Sequence, residues 1–105
     1  MPDLLRDHGR VELLRAEITM RATADGGRTQ PAGLLGAYRP HLRVGDGPPL
    51  GVQITSDLVD HVAPGQTAAV SLLRLYAIDY SSLQVGTRFA ILEGARDVGT
   101  GTVID

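Results

Sequence analysis

A ten-residue stretch near the start of the chain alternates strictly between apolar and polar side chains, and it constrains the fold more than any other feature. Its apolar members are Leu14, Ala16, Ile18, Met20 and Ala22, and its polar members are Arg15, Glu17, Thr19, Arg21 and Thr23. Alternate residues of a β-strand face opposite sides of a sheet, so the pattern predicts a strand with one buried and one solvated face. An α-helix would place Ile18 and Met20 about 200° apart and could not bury both.

Turn-forming residues divide the rest of the chain into short segments. The chain has 13 glycines and 6 prolines. They cluster at Gly26-Gly27, at 45–51, at Pro64-Gly65, at Gly86, at Gly94, and at Gly99 and Gly101. Turn signals at such regular spacing indicate an all-β sandwich or barrel.

The segments between these turns predict five further strands. They are Tyr38–Val44, Leu50–Thr55, Thr67–Tyr76, Arg88–Leu92 and Thr100–Ile104. A change of phase at Leu72-Leu73 indicates a β-bulge in the 67–76 segment. Six short strands without edge-blocking lysines predict a small closed antiparallel six-stranded β-barrel, because closure removes the sheet edges. Residues 76–85 form either a loop or one helical turn.

Composition excludes several classes of chemistry. A length of 105 residues suits one domain, and the sequence predicts a flexible leader at 1–10 followed by one barrel domain at 11–105. Cysteine and lysine are both absent, which excludes disulfides, thiolate metal sites, Schiff bases and the P-loop. Only three tyrosines and one phenylalanine are present, so the predicted core is aliphatic and offers few platforms for stacking bases.

Charge and hydropathy favour a cytoplasmic protein. The formal net charge is −2, whereas generic nucleic-acid binders are strongly basic. Residues 1–43 nevertheless carry a local charge of +2 and residues 44–105 a local charge of −4. The arginines therefore form either a local phosphate-binding patch or ordinary solvated faces. No apolar run exceeds four residues, and the N-terminus lacks the apolar region of a signal peptide.

Neither a metal site nor a catalytic site is predicted. Asp57, Asp60 and His61 have suitable donors for a metal, but they lie in a predicted loop before Pro64 with no second histidine nearby. A solvated loop is the preferred interpretation. The chain has no Gly-x-Ser-x-Gly motif. We therefore expect a protein that is not an enzyme and has no metal or cofactor.

Four motifs resemble, in order and spacing, the third, C-terminal domain of bacterial elongation factor Tu. They are Gly26-Gly27-Arg28, Tyr38-Arg39-Pro40, Pro64-Gly65 and the segment 88–101, RFAILEGARDVGTG. The resemblance covers residues 14–104. It implies a stand-alone six-stranded barrel related to a domain that contacts the T arm of aminoacyl-tRNA, packs on the GTPase domain and helps to dock the nucleotide-exchange factor.

The resemblance also implies candidate binding residues. Carried over by position, they are Arg28, Thr29, Tyr38, Arg39, Glu93, Gly94 and Arg96. Thr29 stands where the family has histidine, and Leu34 and Leu35 stand where it has paired phenylalanines. Ala95 replaces the second glycine of the last hairpin, so the footprint is only partly kept.

Each candidate also has an ordinary structural interpretation. Arg28 is either a phosphate contact or an exposed loop arginine. Tyr38-Arg39-Pro40 is either a docking surface or a packing element in which Tyr38 caps the barrel. Residues 93–96 are first of all a hairpin turn.

Two functions follow from the resemblance. The favoured one is a non-catalytic binding module that docks a translation-related protein, because a lone domain retains few tRNA contacts. The alternative is binding of a tRNA T arm or RNA backbone through Arg28 and the Glu93-Gly94 hairpin. Neither a directly bound nucleotide nor a membrane partner is expected.

Overall fold

The computed structural model describes residues 13–105, which form eight β-strands and one short 3₁₀ turn. The strands are β1 (Leu13–Met20), β2 (Ala32–Gly33), β3 (His41–Arg43), β4 (Leu50–Thr55), β5 (His61–Val62), β6 (Thr67–Arg74), β7 (Arg88–Glu93) and β8 (Arg96–Val103), and the 3₁₀ turn is Thr23–Asp25. All six predicted strands are present. The predicted leader at 1–10 lies outside the described residues.

Six of the strands close into an antiparallel barrel. Their order around it is β1-β6-β4-β3-β7-β8, and β8 pairs back onto β1 through Ala16–Val103 and Ile18–Gly101. The predicted closed six-stranded β-barrel is therefore confirmed. The short strands β2 and β5 form a separate two-stranded sheet. Among the described residues, no helix is long and apolar enough to cross a membrane.

The alternation in β1 produces the predicted two faces. Ala16, Ile18 and Met20 are buried, whereas the intervening polar side chains face solvent. Aliphatic side chains dominate the core, as expected from the few aromatics. Its largest fully buried members are Ile18, Met20, Leu34, Leu42, Ile54, Leu72 and Ile91.

The β-bulge predicted in the 67–76 segment lies elsewhere. β6 pairs with β1 and with β4 in unbroken register. The register instead shifts between β7 and β8, where Ile91 pairs with Gly99 but Leu92 pairs with Asp97. Val98 is the extra residue, and it is fully buried. β8 also begins at Arg96 rather than at the predicted Thr100, because its first residues complete a tight hairpin with β7.

The connection between β6 and β7 is a loop without a helical turn. Its anchor is the buried Tyr80, whose hydroxyl donates a 2.6 Å hydrogen bond to the Gly51 carbonyl and accepts one of 3.1 Å from the Tyr76 amide. Leu83 is also buried. This connection thus contributes two side chains to the core, Tyr80 and Leu83.

The antiparallel topology sorts the connections into two groups. Residues 21–40, 56–66 and 94–95 connect strands at one end of the barrel, which we call the site end. Residues 44–49 and 75–87 connect strands at the opposite end. Arg28, Tyr38 and Glu93 therefore meet at the site end although they are far apart in sequence.

Candidate binding site at one end of the barrel

A cluster of three side chains occupies the site end. Arg28 donates a hydrogen bond from Nη1 to Oε2 of Glu93, and the Tyr38 hydroxyl donates one of 2.7 Å to the same oxygen. The Arg28 guanidinium also lies 5.5 Å from the centre of the Tyr38 ring, within cation–π range. The three motifs of the sequence that contain these residues thus form one physical unit.

The Arg28 guanidinium is committed to partners within the protein. Besides Glu93, its Nε donates to the Gln30 carbonyl at 3.0 Å and its Nη2 approaches the Pro31 carbonyl at 3.5 Å. Only 26% of the Arg28 side chain and 29% of the Glu93 side chain are exposed. A phosphate would have to compete with a partly buried carboxylate for this arginine.

Tyr38 packs at the edge of the core with only its hydroxyl in the polar cluster. Its relative exposure is 9%. Burial raises the pKa of the Tyr38 hydroxyl, and the hydrogen bond to Glu93 and the negative charge of Glu93 raise it further, while Arg28 partly opposes the shift. Tyr38 is therefore a neutral hydrogen-bond donor, and its placement agrees with the packing interpretation of this motif.

Arg96 joins the last hairpin to the loop after β1. Its Nη2 donates to the carbonyl oxygens of Gly27 at 2.8 Å and of Gly26 at 3.2 Å. A second link lies beside it, where Arg21 forms a 2.9 Å ion pair with Asp97. The two arginines hold the Gly26-Gly27-Arg28 motif against the β7–β8 hairpin.

The turn at Gly94-Ala95 explains Gly94 without a ligand. Glu93 pairs with Arg96 across a two-residue connection. Gly94 has a φ of +63°, and no described non-glycine residue, Ala95 included, has a positive φ. That sign pattern belongs to a type II′ hairpin turn, which favours glycine at its first central position.

Five of the seven candidate residues lie together, and the other two are exposed beside them. The cluster consists of Arg28, Tyr38 and Glu93. The hairpin that carries Glu93 also contains Gly94 and Arg96. Thr29 follows Arg28 and Arg39 follows Tyr38, and both are exposed to solvent. Arg96 is exposed as well, but its guanidinium is bonded to the Gly26 and Gly27 carbonyls.

An apolar patch at the site end was not predicted from the sequence. We call it the leucine patch, and it consists of Leu35, Leu58 and Val59, which are 82%, 72% and 40% exposed. The three residues line a shallow open depression of about 170 Å³ together with Ser56, Asp57 and Asp60. An apolar pair inside an otherwise polar loop, Leu58-Val59, was the available sequence signal.

The β2–β5 pairing brings the leucine patch together. Ala32 pairs with Val62 and Gly33 with His61, and the Leu34 amide donates a 2.8 Å hydrogen bond to the Asp60 carbonyl. Just after β2, Leu34 is buried and Leu35 is exposed. Leu35 and Val59 line the same depression.

Ser56 fixes the other half of the patch. Its hydroxyl donates a 3.0 Å hydrogen bond to the Ala69 carbonyl of β6 and accepts bonds from the amides of Leu58 at 3.1 Å and Val59 at 3.4 Å. These hydrogen bonds fix the backbone of Leu58 and Val59 relative to the barrel. Their exposed side chains are therefore held in place before any partner arrives.

Of the polar residues considered as metal ligands, Asp57 and Asp60 line the depression at this patch, whereas His61 lies in β5 rather than in the predicted loop. Asp57, Asp60 and His61 are all exposed. Within residues 13–105, no group of three or more histidine, aspartate or glutamate side chains is arranged to hold a metal ion.

A scan against protein-family models finds none that matches the chain.

Proposed function

We propose that the chain is a non-catalytic binding module, related to the C-terminal domain of elongation factor Tu, that docks a translation-related protein in the cytoplasm. The observation that carries the proposal is the leucine patch. Large apolar side chains that are exposed together are characteristic of protein interaction surfaces. The proposed partner of the chain is a translation GTPase, the exchange factor of that GTPase, or a protein that normally contacts full-length elongation factor Tu.

The geometry of the patch supports a protein partner. Hydrogen bonds that the Leu58 and Val59 amides donate to the Ser56 hydroxyl, together with the β2–β5 pairing, fix the backbone on both sides of the patch, so little conformational entropy is lost on binding. Asp57 and Asp60 place two carboxylates at its rim. A complementary surface would present apolar side chains bordered by basic ones.

The contacts of Arg28 favour protein over RNA. In the RNA alternative, Arg28 binds a phosphate of the tRNA T arm beside the Glu93-Gly94 hairpin. That contact would require Arg28 to leave Glu93 and the Gln30 carbonyl, or the phosphate to approach the Glu93 carboxylate. Either change would lower the affinity for RNA, because that affinity depends on the number of phosphate contacts.

The test measures binding of purified elongation factor Tu GTPase domain and of its exchange factor by biolayer interferometry. We expect at least one to bind, and we expect the double substitution Leu35→Ser and Leu58→Ser to weaken binding about tenfold or more, since burying one leucine contributes about 1.5–3 kcal/mol. Val85→Ser is the matched control, because Val85 is 71% exposed at the opposite end of the barrel.

Two results would contradict the proposal. One is that neither protein binds. The other is that binding survives the double substitution unchanged while a gel shift shows tRNA binding that weakens with salt and is lost in Arg28→Gln, which would establish the RNA alternative.

A further inference from the structure

A second charged surface lies away from the site end. Arg43 is the last residue of β3 and Arg88 is the first residue of β7, and both side chains are exposed. Arg43 pairs with Ala90, so Arg88 lies two positions along the neighbouring strand. Diagonal neighbours of this kind are about 7–8 Å apart, within reach of long side chains.

An open groove of about 280 Å³ separates the two arginines. Its lining is Arg43, Gly45, Arg88, Phe89, Ala90 and Thr100. Ala90 pairs with Thr100 across β7 and β8, so a methyl group and a hydroxyl group form the floor between two guanidinium groups. We call this surface the arginine groove.

The arginines of the groove differ from three of the arginines at the site end. Arg21, Arg28 and Arg96 are bonded to carboxylates or carbonyls. Neither Arg43 nor Arg88 makes a hydrogen bond or an ion pair with another residue of the part of the chain from 13 to 105. Their guanidinium groups can therefore donate to an external acceptor without breaking a bond to any residue of that part of the chain.

We propose that the arginine groove binds an acidic segment of a protein partner, with one carboxylate at each guanidinium. Guanidinium groups donate paired hydrogen bonds that match the two oxygens of a carboxylate. The small floor residues leave room for the methylene groups of a glutamate. The inference rests on the proposed function only in taking the partner to be a protein.

Charge distinguishes this ligand from RNA. The groove offers two cations on a chain whose net charge is −2. Two phosphate contacts give RNA only weak, salt-sensitive binding. Two carboxylates of one short peptide would satisfy both arginines.

The test uses a fluorescein-labelled octaglutamate peptide and measures its anisotropy against the purified chain at low and moderate salt. We expect saturable binding that weakens with salt, and a loss of about tenfold or more in Arg43→Gln and in Arg88→Gln. Arg15→Gln is the control. It makes the same charge change on β1, outside the groove, and should bind as the unmodified chain does. Circular dichroism checks that each variant is folded.

Absence of peptide binding would overturn the inference, as would an equal loss in Arg15→Gln. A gel shift in which tRNA binds and Arg43→Gln or Arg88→Gln abolishes it, without peptide binding, would also overturn it. The two proposals fail separately. Peptide binding by a chain that binds neither translation protein contradicts only the docking function. Binding of a translation protein without peptide binding contradicts only the groove.

Discussion

The Arg28 guanidinium and the Glu93 carboxylate form a partly buried ion pair across the site end, although 65 positions separate them in the chain. The pair joins the loop after β1 to the last hairpin, and Tyr38 donates to the same carboxylate oxygen. Removal of any member leaves a polar group of another member without its partner. These residues therefore contribute to the stability of the site end before any ligand is considered.

Replacement of Glu93 should destabilise the barrel. In Glu93→Ala, both Arg28 and Tyr38 lose their shared acceptor in a partly buried setting, which costs about 1–3 kcal/mol. Urea denaturation followed by circular dichroism measures the change. Asp46→Asn, in an exposed turn, serves as control and should stay within about 0.5 kcal/mol of the unmodified chain. An equal effect of the two substitutions would argue against a structural role for the cluster.

Tyr38 should make the stability depend on alkaline pH. Its pKa is raised in the folded state, so the stabilisation is complete below the ordinary tyrosine pKa of about 10. Above that pH the unfolded chain releases the proton and the folded chain retains it. The free energy of unfolding therefore falls as pH rises. We expect the difference in unfolding free energy between the unmodified chain and Tyr38→Phe, measured by urea denaturation, to shrink between about pH 9 and pH 11. A difference that stays constant over this range would contradict the prediction.

Gly27 should tolerate no side chain. A Cβ there would lie 2.0 Å from the Arg21 carbonyl oxygen, so Gly27→Ala must displace backbone and should cost about 3 kcal/mol or more. Gly26→Ala meets no atom within 4 Å but has a φ of +93°, which predicts a smaller loss of about 1–2 kcal/mol. Gly33→Ala has neither problem and should be nearly neutral. Thermal denaturation of the three variants tests this order, and a Gly27→Ala variant as stable as Gly33→Ala would contradict it.

Arg96 should control the mobility of the loop after β1. Without its bonds to the Gly26 and Gly27 carbonyls, that loop should open more readily. We expect amide hydrogen exchange at Gly27, whose N–H bonds to the Ala22 carbonyl, to accelerate about fivefold in Arg96→Gln. Arg43→Gln makes the same charge change away from this loop. If both variants exchange at the same rate, Arg96 does not tether it.

Local sequence pattern was sufficient to predict the barrel. Alternation at residues 14–23 and glycine-rich turns predicted six strands, because the two faces of a strand experience different solvents and turns need residues that accept positive φ. The bulge was misplaced for a physical reason. The apolar change of phase at Leu72-Leu73 is accommodated without a shift in pairing, whereas the shift at Ile91-Leu92 depends on the partner strand and has no signal within β7 alone.

For the candidate site, too, some features could be predicted from the sequence and others only from the structure. Sequence motifs were sufficient to select Arg28, Tyr38, Glu93 and Arg96. They were not sufficient to predict which of these residues contact one another. Whether an arginine is free for a ligand depends on which carboxylate the fold brings beside it. The leucine patch was missed because the apolar pair Leu58-Val59 does not by itself show whether it is buried, and because nothing in the sequence distinguishes the buried Leu34 from the exposed Leu35.

The sequence by itself thus determined the six barrel strands, the aliphatic core and the absence of lysine and cysteine chemistry, since each of these depends on residue type and local order. The short strands β2 and β5 were not predicted. The tertiary structure decided that Arg28 is bonded to Glu93, that Leu35, Leu58 and Val59 are exposed together, and that Arg43 and Arg88 flank one groove. These relationships depend on barrel closure, which brings distant strands and loops within bonding distance and leaves other side chains exposed to solvent.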